Sequence, residues 1–208
     1  MKIVLKNAKV ISPKDKLNSV LDILISEGKI QEIAEKINVS DAKVYDLKGK
    51  VIVPGLIDMH VHLREPGEEN AEDILSGAEA AARGGFVAVA CMPNTKPPID
   101  DPASVRYIME RAEKAKVHVF PVGAFTKAQE GKEITEMALM VKEGAVAFSD
   151  DGRPVWNSVV LKRGLEYLLA LDKVYIDHAE DLYLSEGGTA NESARTIKAG
   201  LRGIPWVA

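Results

Sequence analysis

Apolar and polar residues alternate with period two through Lys2–Ile11 (KIVLKNAKVI) and again through Val20–Ser26, so the first fifty residues read as β structure. Glu27-Gly28-Lys29 interrupts the second run and Ile30–Ile33 resumes it, which predicts a hairpin. Lys43–Leu47 and Val51–Val53 flank a turn at Lys48-Gly49-Lys50. No chemistry gathers in this segment, and Asp15, Asp22 and Glu27 read as solvated turn or strand residues. A sheet this small needs a partner sheet to bury its second face.

From Pro54 the pattern changes to strand alternating with helix. Asn70 as N-cap, with Asp73 three residues on, predicts a helix over Ala71–Ala82 that ends at Gly84-Gly85. Phe86–Met92 is a short apolar strand. Asp101 caps a second helix with Pro102 at its first position and Val105, Ile108, Met109 and Ala112 on one face. Strands follow at Val117–Val122, Ala145–Phe148 and Val174–Asp177, separated by helical patterns at Glu130–Glu143 and Ser158–Leu171. A last helix is expected near Asn191–Lys198. Counted from Val51, five strands joined by helices imply parallel pairing with right-handed crossovers. Both a doubly wound sheet and a (β/α)₈ barrel accommodate that count. No GxGxxG follows the first strand, so a dinucleotide fold lacks its best evidence.

The polar residues separate the two architectures better than the periodicity does. Within Val51–Gly67 (VIVPGLIDMHVHLREPG) strict alternation places Asp58, His60 and His62 on one strand face and Ile57, Met59 and Val61 on the other. His60 and His62, Asn94, the pair Asp150-Asp151, and His178 all fall at the C-terminal ends of separate strands, where a barrel assembles its site. Catalytic zinc takes about three nitrogen or oxygen ligands and keeps one position open. His60, His62, His178 and one of the two aspartates can supply that set, or part of a two-metal site. Asp58, one step down the strand, is placed to accept from an imidazole N–H. Singly, each has a plainer reading: two edge-strand histidines, an Asp-Gly turn, a helix-capping histidine. Their joint occurrence at matching strand ends favours the metal. His118 sits early in its strand and is assigned to structure.

Composition narrows the setting. The 208 residues carry 27 basic and 31 acidic side chains, a net charge of -4, with 46% hydrophobic residues, ordinary for a globular chain. No basic stripe appears, which argues against nucleic acid or an anionic membrane as partner. Cys91 is the only cysteine and cannot form an internal disulfide, which suits a reducing compartment. Met1-Lys2 leads straight into a strand-like run, without a signal sequence or a membrane-length apolar span, so a cytoplasmic location is expected.

Pro54–His62 (PGLIDMHVH) followed by Leu63-Arg64-Glu65-Pro66-Gly67 resembles the cyclic amidohydrolases of the amidohydrolase superfamily. Met92-Pro93-Asn94-Thr95 with Pro97-Pro98, Phe148–Gly152 and Asp177–Asp181 narrow the resemblance to the bacterial type I dihydroorotases. The resemblance runs from the first strand to the last residue. It implies a metal-bearing (β/α)₈ barrel beside a small β-sandwich built from both chain ends, with 1–53 as the N-terminal share of the sandwich and 54–208 as the N-terminal part of the barrel. By the same resemblance His60, His62 and Asp151 are zinc ligands and His178 completes a second metal position, for one or two zinc ions. Arg64 and Asn94 are similar to the pair that holds the substrate carboxylate, and an Arg fork with a directional amide suits that task. The plainer reading of Arg64 is a surface ion pair with an acid such as Glu65.

The implied reaction is the reversible cyclisation of N-carbamoyl-L-aspartate to dihydroorotate in pyrimidine synthesis. Zinc there polarises the cyclic amide and activates water, while a nearby acid protonates the leaving nitrogen. Relatives that open hydantoins or allantoin use a carboxylated lysine on the fourth strand, and Ala145–Gly152 contains no lysine. Two alternatives remain open: an allantoinase- or hydantoinase-like enzyme, and a non-catalytic subunit supporting aspartate transcarbamoylase. Homo-oligomerisation and partnership with that transcarbamoylase are expectations of the family. A barrel takes about 250 residues, so five units imply part of a longer enzyme, with the general acid–base aspartate expected beyond residue 208 and little activity expected of these residues alone.

Overall fold

In the computed structural model, which describes residues 1–208, the chain divides into two units, Met1–Gly55 and Leu56–Ala208. The alternating runs of the first unit form β1 (Lys2–Ser12), β2 (Leu17–Ser26), β3 (Lys29–Ala34), β4 (Ala42–Asp46) and β5 (Val51–Ile52). β2 and β3 form the expected hairpin, and β1 lies antiparallel to β2. β4 and β5 do not pair with each other. Both join β1 in parallel, β4 along Lys2–Lys6 and β5 at Lys9-Val10. Val10, Leu21 and Ile23 form the small buried core.

Asp22 departs from its expected solvated state. It is 3% exposed and its carboxylate accepts from the main-chain N–H groups of Asn7 and Ile37, both at 3.0 Å. Asn7 has a φ of 62° and lies where the β1–β2 register slips between Leu5 and Ala8. A bulge of this kind leaves an amide outside the ladder, and Asp22 satisfies it. Asp22→Ala is therefore expected to lower stability by about 1–3 kcal/mol by stranding two amides, read as a lower urea midpoint. An unchanged midpoint would show that water satisfies them. Asp15 and Glu27 are exposed as expected.

The second unit runs β6 (Leu56–Val61), α1 (Ile74–Arg83), β7 (Phe86–Cys91), α2 (Pro102–Ala112), β8 (His118–Ala124), α3 (Met137–Glu143), β9 (Ala147–Ser149), α4 (Ser158–Ala170) and β10 (Val174–Tyr175). After these come α5 (Leu182–Ser185), β11 (Ala190–Asn191), α6 (Ala194–Lys198) and β12 (Gly203–Ile204). β6 to β10 form one parallel sheet in chain order, and β11 pairs with β12 separately. The run that reads as one strand from Val51 is two strands in different sheets, because Pro54 has no N–H for a ladder.

Three helix boundaries differ from expectation. α1 is capped by Asp73 and not Asn70: the Asp73 carboxylate accepts from the Leu75 and Ser76 N–H groups, and Ser76 reciprocates. Of the Glu130–Glu143 pattern only Met137–Glu143 is helical. Thr126 bridges Ile134 and the Thr135 hydroxyl donates to the Ala124 carbonyl at 2.7 Å, which holds the earlier part extended. Asn191 lies in β11, and α6 starts after the Ser193 cap. α2 has the predicted Asp101 cap and first-turn Pro102, with Val105 and Ile108 buried.

Residue parity along the strands sorts the unit into two layers. Val89, Cys91, Val119 and Phe148 belong to the main core with α1, α2 and α4 residues Ile74, Val105, Ile108 and Leu168. Met92, Val122 and Ala147, with Ala90 and Ile176, cluster separately, and by alternation lie on the opposite sheet face. No helix is long and apolar enough to cross a membrane.

Candidate metal centre

Extending that parity past the strand ends predicts what gathers where. Asn94 follows Met92, Asp151 follows Ala147 at an even spacing, and His178 follows Ile176, so all three continue the second face. Val61 pairs with Cys91 of the main core, which leaves His60 and His62 on the second face too. Asp150 has the parity of Phe148 and turns the other way.

The side chains follow this rule. Donor atoms of His60, His62 and Asp151 lie within 4.8 Å of one another. The Asp151 carboxylate is at the centre: Oδ1 is 3.5 Å from His60 Nε2 and 3.7 Å from His178 Nδ1, and Oδ2 is 3.7 Å from His62 Nε2. These separations are long for hydrogen bonds. They lie at or about 0.1 Å beyond the edge between two donors sharing one tetrahedral ion, about 3.3–3.6 Å for bonds of about 2.0–2.2 Å. Two imidazoles and a carboxylate are also the donor types zinc accepts. The residues present therefore fit a metal ion.

Neighbouring groups orient the imidazoles. The Asn94 amide N–H donates to Asp151 Oδ2 at 2.9 Å, which turns its carbonyl oxygen to His62 Nδ1 at 3.0 Å. An amide oxygen only accepts, so His62 carries its proton on Nδ1 and keeps the Nε2 lone pair toward Asp151. His178 Nε2 lies 2.9 Å from Glu180 Oε2, which leaves Nδ1 facing Asp151 in the same way. The Glu180 carboxyl is held below its usual range, first by Ser185 and then by His178. Asp58 does not share the histidine face. It pairs with Val89 as Val61 pairs with Cys91, both of the main core, because a bulge lies between Asp58 and Val61. Its carboxylate accepts from the main-chain N–H of His60 at 3.1 Å and not from an imidazole.

Asp150 has a different task. It is 1% exposed and accepts from the N–H groups of Phe125 and Thr126, both at 2.9 Å, and from the Thr126 hydroxyl. Burial pushes its carboxyl up, against the pull of those donors. The adjacent aspartates thus divide, one tying the β8 and β9 ends together and one facing the imidazoles.

Arg64 and Asn94 are not brought into contact with each other. Asn94 is joined to the cluster, whereas Arg64 is half-exposed with a loose 3.9 Å approach to Glu68. Glu65, its expected surface partner, instead binds Arg111 and Tyr107. Asn94 and Asp151 border a cavity of about 450 Å³ also lined by Thr95, Lys96, Gln129 and Arg153, and the buried Gln129 Nε2 has no partner. His118 stacks on Phe120 at the opposite strand end, beside a larger cavity of about 630 Å³ that holds none of these groups.

Sequence reasoning missed Glu180, Glu65 and Gln129 as contributors. Glu180 had a signal, since a carboxylate two residues after a strand-end histidine can reach the same ring. Glu65 and Gln129 had none, because their surroundings come from remote segments.

Residues 49–208 match the family described as dihydro-orotase-like. A protein named dihydroorotase from Syntrophus aciditrophicus is 49% identical over 211 residues, covering 100% of this chain and 50% of its own length. Another from Solibacter usitatus is 48% identical, covering 99% and 48%. The chain thus spans about half the length of the curated relatives it matches. Among solved structures, an L-hydantoinase (dihydropyrimidinase) from Arthrobacter aurescens aligns at TM-score 0.72 and 23% identity over 88% of this chain and 41% of its own. A dihydroorotase structure aligns at TM-score 0.62 and 19% identity over 84% and 51%. These two likenesses establish a shared fold.

Proposed function

The chain belongs to the dihydro-orotase-like family, and on that premise we propose that the whole protein is a zinc-dependent dihydroorotase, interconverting N-carbamoyl-L-aspartate and dihydroorotate. The observation that carries the reading is the Asp151 carboxylate, with imidazoles 3.5–3.7 Å from both its oxygens. In this reading His60, His62 and Asp151 hold one ion, and His178 with the second face of Asp151 provides a further position. Such an ion supplies Lewis acidity toward the ring amide carbonyl and lowers the pKa of water. Asn94 and Glu180 keep the imidazole lone pairs directed at the centre, which preorganises it. Arg64 takes the substrate carboxylate in its planar fork, and Asn94, at the cavity edge, adds a directional contact. The parallel sheet with its polar residues at one end is part of a (β/α)₈ barrel, and the first unit part of a β-sandwich. A cytoplasmic location accompanies this reading, supported by the one buried, unpaired Cys91.

A hydantoinase-like activity is the nearest competitor, and the higher structural likeness to a hydantoinase is its support. Relatives at 45–49% identity, all named dihydroorotase, weigh more than a likeness at 23%. The absence of lysine from Ala145–Gly152 points the same way. Purified protein expressed from its complete reading frame is expected to turn over carbamoyl aspartate and dihydroorotate and to leave allantoin and hydantoin untouched. Turnover of allantoin or hydantoin alone would overturn the proposal. Bound metal without any turnover would instead favour the non-catalytic subunit.

A further inference from the structure

The segment that follows the strand-end imidazoles is built around a buried carboxylate. Glu65 is 3% exposed. It accepts from the Tyr107 hydroxyl at 2.5 Å and Arg111 Nε at 2.7 Å, both on α2, and from the Ile74 N–H at 2.9 Å, at the start of α1. Burial pushes its carboxyl up, but Tyr107, Ile74 and Arg111 outweigh burial and hold it below the usual carboxylate range. A charge this enclosed persists only when its hydrogen-bonding capacity is met, and here it is met by two helices.

Arg64, the preceding residue, has a φ of 61°, in the left-handed region that a bulky side chain rarely adopts. Its guanidinium has only the 3.9 Å approach to Glu68. On the other side, Gly67 at φ 95° backs onto the Lys96 carbonyl, where a Cβ would lie 1.9 Å from the oxygen, and the Lys96 N–H donates to the Pro66 carbonyl at 3.1 Å. The backbone from 64 to 67 is thus held on both sides while the Arg64 side chain stays unengaged.

We propose that Glu65 is a positioning residue, whose anchorage to α1 and α2 sets the left-handed turn that presents Arg64 to a substrate carboxylate. It rests on the reading of Arg64 given above. Surface glutamates at such a position tie down nothing, whereas this one couples the loop to two helices that carry no other part of the site.

The test is steady-state kinetics on the whole protein with Glu65→Gln, alone and combined with Arg64→Ala. Glu65→Gln is expected to raise KM for dihydroorotate about tenfold, with kcat within about twofold and metal content unchanged. In the Arg64→Ala background it should add no further rise, since no guanidinium remains to be placed. Tyr107→Phe and Arg111→Lys, which retain most of the packing, should each raise KM in the same direction and carry the test if Glu65→Gln does not fold. Unchanged KM in folded variants overturns the inference, as does an equal rise in the Arg64→Ala background. A wild-type protein inactive on dihydroorotate overturns the functional reading itself, which is a different result from an active wild type indifferent to Glu65.

Discussion

Asp151→Ala is expected to strip the centre of its metal, and turnover should fall by more than about 100-fold. Asp151 is the one side chain that faces all three imidazoles, with both oxygens engaged. Loss of a group that merely orients a ligand costs about 10–100-fold in affinity or activity, and loss of a ligand shared by two positions should exceed that. Metal per chain after dialysis, measured by elemental analysis, should drop to background, and His60→Ala should follow it in part. Stability of the metal-free protein should scarcely change with His60→Ala, because that imidazole is 45% exposed and lies outside the buried clusters, with an edge-on approach to the His62 ring at 5.2 Å. His118→Ala, at the other end of the sheet, should retain full metal and full turnover. Wild-type metal content in Asp151→Ala would remove the proposed centre.

Phe125→Ala should be the most destabilising single change in the second unit, by about 3–5 kcal/mol. The ring is fully buried and packs at 4.5 Å between centroids on Tyr175 of β10. Its tip meets α4 at Gly164, where an added Cβ would stand 2.0 Å from Phe125 Cζ. Helix propensity alone says that Gly164→Ala stabilises, by about 1 kcal/mol. The contact reverses the sign, and a loss of about 1–3 kcal/mol is expected from overpacking. Combined with Phe125→Ala, the added methyl enters vacated space, so the double variant should be more stable than the sum of the two losses implies. Urea unfolding of the four proteins measures the cycle. Additive losses, or stabilisation by Gly164→Ala alone, would show that α4 does not rest on Phe125.

Both cases show how differently site and packing are written into the chain. His60 and His62 were legible because alternation about Val61 shows them together. Asn94, Asp151 and His178 were legible as strand-end residues for the same reason. Asp58 was misplaced, since a bulge that the spacing does not reveal turns it to the other face. Alternation says only that Asp150 and Asp151 point to opposite faces. The resemblance named Asp151, and the packing of Ala147 and Phe148 into different clusters shows which face each aspartate takes. Helix starts were less legible, because Asn70 and Asp73 are both good caps and the choice went to the residue whose carboxylate reaches the Leu75 and Ser76 amides. The Glu130–Glu136 stretch has helical spacing, yet Thr135 is held by the Ala124 carbonyl, a partner that the spacing cannot reveal.

By itself, then, the sequence determined the alternation of strands and helices, which neighbouring strand residues share a face where no bulge intervenes, and the kinds of donor collected at the strand ends. Those are properties of neighbouring residues, and a backbone period carries them locally. Only the tertiary structure decided that Asp22 is buried on a bulge, that Asp150 ties two strand ends together, and that Glu65 turns from Arg64 to Arg111 and Tyr107. A charged side chain has several partners of suitable chemistry along the chain, and the one it takes depends on which segments folding brings within about 3 Å.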